Sequence, residues 1–346
     1  MTVKSLKTCI ILLFSGLLTQ FCGCNSNPPT SNARANPLIA ADTGNLQQEA
    51  TRIIKDALAS SDPRVRTNAV EAVAAIPVKR GRIFMPEVQR LLTDDFVPVR
   101  FTAAVAVGDT AYEPAKNRVS QLLKDKDQNV RLAATYAISK LVPRASVELL
   151  GNGLTSPDLQ VRANAAFLTG KTGNKNAIPL LYETLRDESS DDRVRLNCIE
   201  AIARLGDERI YQKIWALLIS AYADDRIFGC RAMGALGSTQ AKDALMTMLT
   251  DDLVEVRLVA AEQLGSLGDT AGEKVAIDAL TQPNTPASEP ESKQRIDTLA
   301  ALATGQIKTP ALKKFLPGLL KNDSQFVKIA AAKAVFQFAN SDNIGR

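Results

Sequence analysis

Four adjacent aspartate pairs, Asp94–Asp95, Asp191–Asp192, Asp224–Asp225 and Asp251–Asp252, stand out as groups that could do chemistry. Paired carboxylates can hold calcium, but a calcium loop also spaces further oxygen ligands after the pair, and none follow here. The pairs stand just ahead of helix-like segments, where N-capping accounts for them. The wider inventory is shaped by an absence: the 346 residues include no histidine. Ser-His-Asp and Cys-His nucleophile systems, imidazole bases and histidine metal sites are thereby excluded. No phosphate-cradling glycine loop occurs, and GNG at 151–153 reads as a turn. Two of the five cysteines, Cys198 and Cys230, lie outside the N-terminal segment and read as small core residues. No catalytic residue, cofactor or metal is assigned, and the chain is expected not to be an enzyme.

The elements that must position these groups come from a repeat. DPRVRTNAVEAV (62–73), DQNVRLAATYAI, PDLQVRANAAFL and DDLVEVRLVAAEQLGSLGD are variants of one phrase. Aligned on the basic residue, the anchors are Arg66, Arg100, Arg131, Arg162, Arg195, Arg226, Arg257, Arg295 and Lys328, separated by 31–38 residues. Three positions after each anchor the residue is small (Ala69, Ala103, Ala134 and so on). Seven positions after it the residue is aliphatic or Met except at Thr169. A second amphipathic segment precedes each copy, so each unit is a helical hairpin and stacked hairpins share one core. No sustained period-2 strand pattern is present, and the fold class is all-α.

The D-x-x-V-R opening, the alanine-rich second helix and the trailing LGD resemble bacterial HEAT repeats, particularly the short type named after phycobilisome lyases. The resemblance covers 46–340 and implies a right-handed α-solenoid of about nine hairpins, with a tail at 341–346. Similar repeats serve scaffolds, adaptors and some enzymes. HEAT-repeat metal hydroxylases bind iron through His-Glu motifs, which a chain without histidine cannot supply.

Residues 1–24 stand apart. Lys4 and Lys7 precede a ten-residue apolar stretch, CIILLFSGLL, too short to span a bilayer comfortably. FCGC at 21–24 resembles the lipobox of bacterial lipoprotein signal peptides, which implies cleavage before Cys24 and acylation of that residue. The expected location is the bacterial cell envelope, with the chain lipid-anchored and facing the periplasm or exterior. Residues 25–45 read as a flexible tether, and the Pro-rich 281–293 as a tolerated insertion. The net charge of +5 is no nucleic-acid footprint.

The anchors pose an electrostatic problem, because a helix N-terminus disfavours positive charge. Each has an acidic residue within five positions upstream, Asp62, Asp95, Asp127, Asp158, Asp192, Asp225, Asp252, Glu291 and Asp323. Arg66, Arg100, Arg131, Arg162, Arg195, Arg226 and Arg257 are therefore expected to bridge acidic turns within or between hairpins as a structural ladder. Helical geometry leaves offsets +2, +5 and +9 from the anchor facing out, on the side that is concave in similar solenoids. There, Tyr136, Phe167 and Arg231 occupy +5, while Lys140, Lys171 and Arg204 occupy +9. Aromatics beside a basic row are candidate partner contacts, with packing against adjacent helices the alternative. The resulting expectation is a non-catalytic, membrane-tethered scaffold or adaptor that holds a protein or peptide on its concave face. The alternative is an enzyme, or an accessory subunit of one, of the lyase-like or oxidoreductase HEAT-repeat type.

Overall fold

The structure is a computed structural model that describes residues 37–142, 144–281 and 290–338. The expected signal peptide with Cys24, most of the expected tether and the expected tail lie outside these residues. Every described element is helical. The chain runs as nine outer–inner helix pairs among the described residues. The inner helices are Pro63–Ala75, Val97–Asp109, Gln128–Leu141, Leu159–Thr172, Asp192–Arg204, Ala223–Leu236, Val254–Ser266, Pro290–Ile307 and Gln325–Phe338.

Four of the inner helices begin at an aspartate cap, whereas those starting at Val97, Ala223 and Val254 have no side-chain cap. Asp62, Asp127, Asp158 and Asp191 accept hydrogen bonds from backbone N–H groups of the first turn. Asp94 and Asp251 act differently from the N-caps expected of their pairs. Each accepts the N–H two residues on, from Phe96 and Leu253, and so shapes the turn before the helix. At the other end of the fifth inner helix, Gly206 has φ 78°, a left-handed stop that favours glycine. Small residues let neighbouring inner helices approach closely. A Cβ on Gly170 would come within 2.6 Å of the Ala201 Cα.

One boundary differs from expectation. The first outer helix is Pro37–Leu58, so residues 37–45 are helical and not tether. Proline suits a first helical turn, and Leu38, Ile39, Ala40 and Ala41 extend the helix, except that isoleucine is a weaker former than the others. Helix also begins at Pro290, within the expected insertion.

The ladder arginines span the gap between repeats. Arg100 pairs through Nε and Nη2 with Asp125 of the next turn, at 2.9 and 3.0 Å. Its Nη1 donates to the carbonyls of Asp94 and Asp95 behind it. Arg66 does the same with Asp94 and with the carbonyls of Ser60 and Ser61. Arg226 follows the pattern with Asp251 and Asp252, and Arg162 reaches Asp187 at 3.3 Å. The arginine's positive charge is thus offset by a carboxylate and by carbonyls of the turn that follows the outer helix. For these four anchors the acid comes from the following repeat, not from the residues just upstream. Arg131 and Arg257 donate to turn carbonyls, of Asp125 and Lys126 and of Asp251 and Asp252 respectively. Arg195 lies 3.6 Å from Asp192, in a largely exposed contact.

The row of inner helices returns to its start. The last, Gln325–Phe338, packs against both helices of the first repeat as well as against its predecessor. Phe84 and Phe336 meet edge to face with centroids 5.5 Å apart, and Arg80 Nη1 donates to the Phe336 carbonyl at 3.1 Å. The solenoid is therefore closed on itself.

Arg100 and Asp125 side chains are only 7% and 10% exposed. Arg100→Ala should lower unfolding free energy in urea by about 3 kcal/mol, because it strands a buried carboxylate. Arg52→Ala, which removes a surface pair, should leave the midpoint almost unchanged. Equal, negligible effects from both would mean that the anchor column is only a solvated row.

Candidate functional site

Closure turns the expected concave face into an interior. The +5 position of each inner helix points at the centre, and the full column reads Glu71, Val105, Tyr136, Phe167, Glu200, Arg231, Glu262, Ala300 and Lys333. Tyr136 is 2% exposed and Phe167 7%, so the ridge expected to meet a partner is core. Tyr136 packs against the adjacent inner helices, with Gly108 and Asp109 on one side and Lys171 on the other, and Phe167 lines a small cavity with Glu71 and Phe101.

Two polar groupings occupy this interior. The first surrounds Asp109, which accepts the Tyr136 hydroxyl at 2.6 Å and pairs with Lys171 at 3.0 Å. Lys140 and Lys171 lie 5.6 and 6.0 Å from the Tyr136 ring centroid, and Lys171 lies 5.5 Å from that of Phe167. Lys140 also donates to the Thr172 carbonyl at 3.0 Å. Arg204 pairs with Glu200, and its charge also acts on Tyr136. Burial pushes the Tyr136 hydroxyl well above the usual phenol range, and the Asp109 carboxylate pushes it the same way. Burial draws Lys140 down. Of the six partner-contact residues, the structure gathers Tyr136, Lys140, Phe167 and Lys171 around one aspartate and sets Arg204 within electrostatic reach. Tyr136 and Phe167 are buried there, Lys171 and Arg204 are half-buried, and Lys140 is exposed.

Arg231 belongs to the second grouping, with Glu71, Glu262 and Lys333. Glu71 is fully enclosed and neither carboxylate oxygen has a hydrogen-bond partner. Burial raises it to about 8, against the opposing pull of Lys333 and Arg231. Lys333 is equally enclosed, and burial lowers it while Glu262 and Glu71 act to raise it. These charges come from the first, sixth, seventh and ninth repeats, so the centre is bridged from opposite sides. A cavity of about 20 Å3, room for about one water molecule, is lined by Glu71, Asp109, Phe167 and Lys171 among others. A larger hollow of about 470 Å3 lies outside, between the third inner helix and the fourth outer helix. Glu148 is its one charged lining residue.

Glu71, Asp109, Glu262 and Lys333 were not singled out in the sequence. The signal was available for all four: Glu71, Glu262 and Lys333 complete the +5 column, whose acids and bases nearly balance, and Asp109 stands at +9 ahead of Lys140, Lys171 and Arg204. Cys198 and Cys230 are both buried free thiols, and burial pushes Cys198 up to about 12.

Comparison with known proteins places this geometry. HEAT repeats are recognised at residues 117–145 and 147–227. Deoxyhypusine hydroxylase of Drosophila melanogaster is 24% identical over 201 residues, covering 51% of this chain and 63% of that protein. Protein YibA of Escherichia coli K12 is 31% identical over 157 residues, covering 42% of this chain and 55% of YibA. The chain thus spans less than two thirds of the curated relatives it matches. Among solved structures, the CpcE–CpcF complex of a Nostoc phycocyanin lyase aligns with a TM-score of 0.41 at 20% identity. That alignment covers 72% of this chain and 93% of the other. Human deoxyhypusine hydroxylase aligns at 0.36 and 17%, covering 88% and 100%.

These findings correct the functional expectation. A non-catalytic scaffold is overturned, and so is the expectation that the chain is not an enzyme, because several relatives carry an enzyme's name. The enzyme-type alternative is the better supported. A His-Glu iron centre does not fit this chain, however. No histidine occurs, Asp109 and Glu200 are engaged by cations, and Glu71 is driven toward its neutral form.

Glu71 makes stability depend on pH. Its folded value lies above its ordinary 4.5, so its contribution is complete below that value and is lost as pH rises through about 8. Glu71→Gln should therefore gain melting temperature relative to the parent as pH climbs from 5 to 8, and hold that gain above. Parallel melting curves across this window would show that the carboxyl does not titrate in place.

Proposed function

We propose that the chain works as an enzyme of the HEAT-repeat type or as the accessory subunit that completes one. Relatedness to proteins named deoxyhypusine hydroxylase is the observation that carries this reading. The histidine-free centre favours the subunit role, since Glu71, Glu262 and Lys333 are buried and offer no imidazole ligand or base. The full chain should therefore not hydroxylate a deoxyhypusine-bearing protein on its own when given ferrous iron. Purified gently from its own cells, it should co-elute with a polypeptide that carries a metal or chromophore, and depleting the chain should lower that polypeptide's turnover. Turnover by the chain alone would make it the enzyme itself. A chain that elutes alone, carries no bound group and turns nothing over removes the reading altogether.

The same proposal places the protein at a membrane of the bacterial envelope, held by acyl groups on Cys24. The support is the charged, apolar and FCGC order of residues 1–24. Cys24→Ala should shift the protein from the detergent phase to the aqueous phase, or leave it unprocessed. Unchanged partitioning of a processed chain would count against acylation.

A further inference from the structure

Each outer helix runs opposite to its inner helix, so the first outer helix begins at the end of the ring where the inner helices finish. The chain therefore enters the ring at that end, at Pro37. Cys24 stands thirteen positions earlier, a reach of at most about 45 Å.

The loops at this end differ sharply around the ring. Residues 76–86, which follow the first inner helix, contain Lys79, Arg80 and Arg82 and no acid. Residues 308–318, which follow the eighth, contain Lys308, Lys313 and Lys314 and no acid. Equivalent loops elsewhere are mixed: Asp207 and Glu208 follow the fifth inner helix, and Asp269 and Glu273 the seventh. Because the ninth repeat packs on the first, the two basic loops flank the point of chain entry. Lys79, Arg82, Lys308 and Lys314 are exposed. Ile83, beside Arg82, is 53% exposed. Basic groups around an exposed aliphatic side chain are the composition that settles at a lipid headgroup boundary.

We propose that this basic rim, Lys79, Arg82, Lys308 and Lys314 with Ile83 among them, rests on the anionic headgroups of a lipid bilayer. The proposal rests on the membrane placement given above and adds an orientation to it. The entry end of the ring lies against the bilayer, and the aspartate-rich turns at the opposite end face away. Attraction of this kind is strongest at low salt and fades as the Debye length shortens.

The test uses the full chain carrying Cys24→Ala, so that no acyl group contributes, and vesicles of phosphatidylcholine with or without phosphatidylglycerol. The apolar N-terminal segment acts on both vesicle types, and its Lys4 and Lys7 are changed to Ala in every protein compared, so that the anionic preference reads the rim alone. Co-sedimentation should favour anionic vesicles on the order of tenfold at low salt. Changing Lys79, Arg82, Lys308 and Lys314 together to Glu should abolish that preference with an unchanged melting temperature. Lys124→Glu with Lys126→Glu, at the opposite end, should leave it intact. An anionic preference that survives the fourfold change overturns the proposal. So does a fourfold change that spares vesicle binding but removes retention on heparin, which would assign the rim to a polyanion. Failure of acylation is read separately, by the partitioning of the Cys24 protein, and leaves this result standing.

Discussion

A bidentate arginine–aspartate contact between successive turns sets the spacing on which the rest of this molecule depends. Arg66–Asp94, Arg100–Asp125 and Arg226–Asp251 join one hairpin to the next with the same pair of guanidinium edges. The remaining nitrogen of each arginine holds carbonyls of the turn between its own outer and inner helices. The same side chain thus closes a hairpin and fixes its neighbour's position. Burial alone would push these aspartates up. The arginine and a turn N–H outweigh it and hold Asp94, Asp125 and Asp251 below the usual carboxylate range. That contribution is present above about pH 4 and is lost as the carboxylates protonate below it.

With the rotation between repeats set, the inner row comes back to the first hairpin. What would be a binding groove in an open array must then be filled by the chain's own residues. Tyr136 and Phe167 supply volume, while Glu71, Glu262, Arg231 and Lys333 supply charges that offset one another from opposite sides. Such a centre is costly unless its members are matched, because a lone buried charge carries the full desolvation penalty. Glu71 shows what happens when matching is incomplete: without a hydrogen bond to its oxygens, it favours the proton-bound form.

Much of this was legible in the chain. The anchor spacing, the small residues at offset +3 and the aliphatic residues at +7 define hairpins whatever lies at their ends. Closure was not legible, because it depends on contacts between residues such as Arg80 and Phe336, far apart in sequence and outside the repeat pattern. For Tyr136 and Phe167 the sequence left partner contact and packing against adjacent helices open, and it is the packing that the structure has. The expected bridging of acidic turns left the individual ladder partners open. Asp62 and Asp127 serve backbone N–H groups of their own helix. The guanidinium groups of Arg66 and Arg100 reach forward across a repeat, a distance that upstream proximity does not report.

A linear repeat array has two ends, and its terminal hairpins each lack one neighbour, so they open first. In this ring the first and ninth hairpins cover each other. The helix Gln325–Phe338 packs against both helices of the first hairpin, and its Phe336 reaches Phe84 of the second. No hairpin is then a natural starting point for fraying. Cooperativity that would run along a line becomes circular, and unfolding must break two interfaces before any one hairpin can leave.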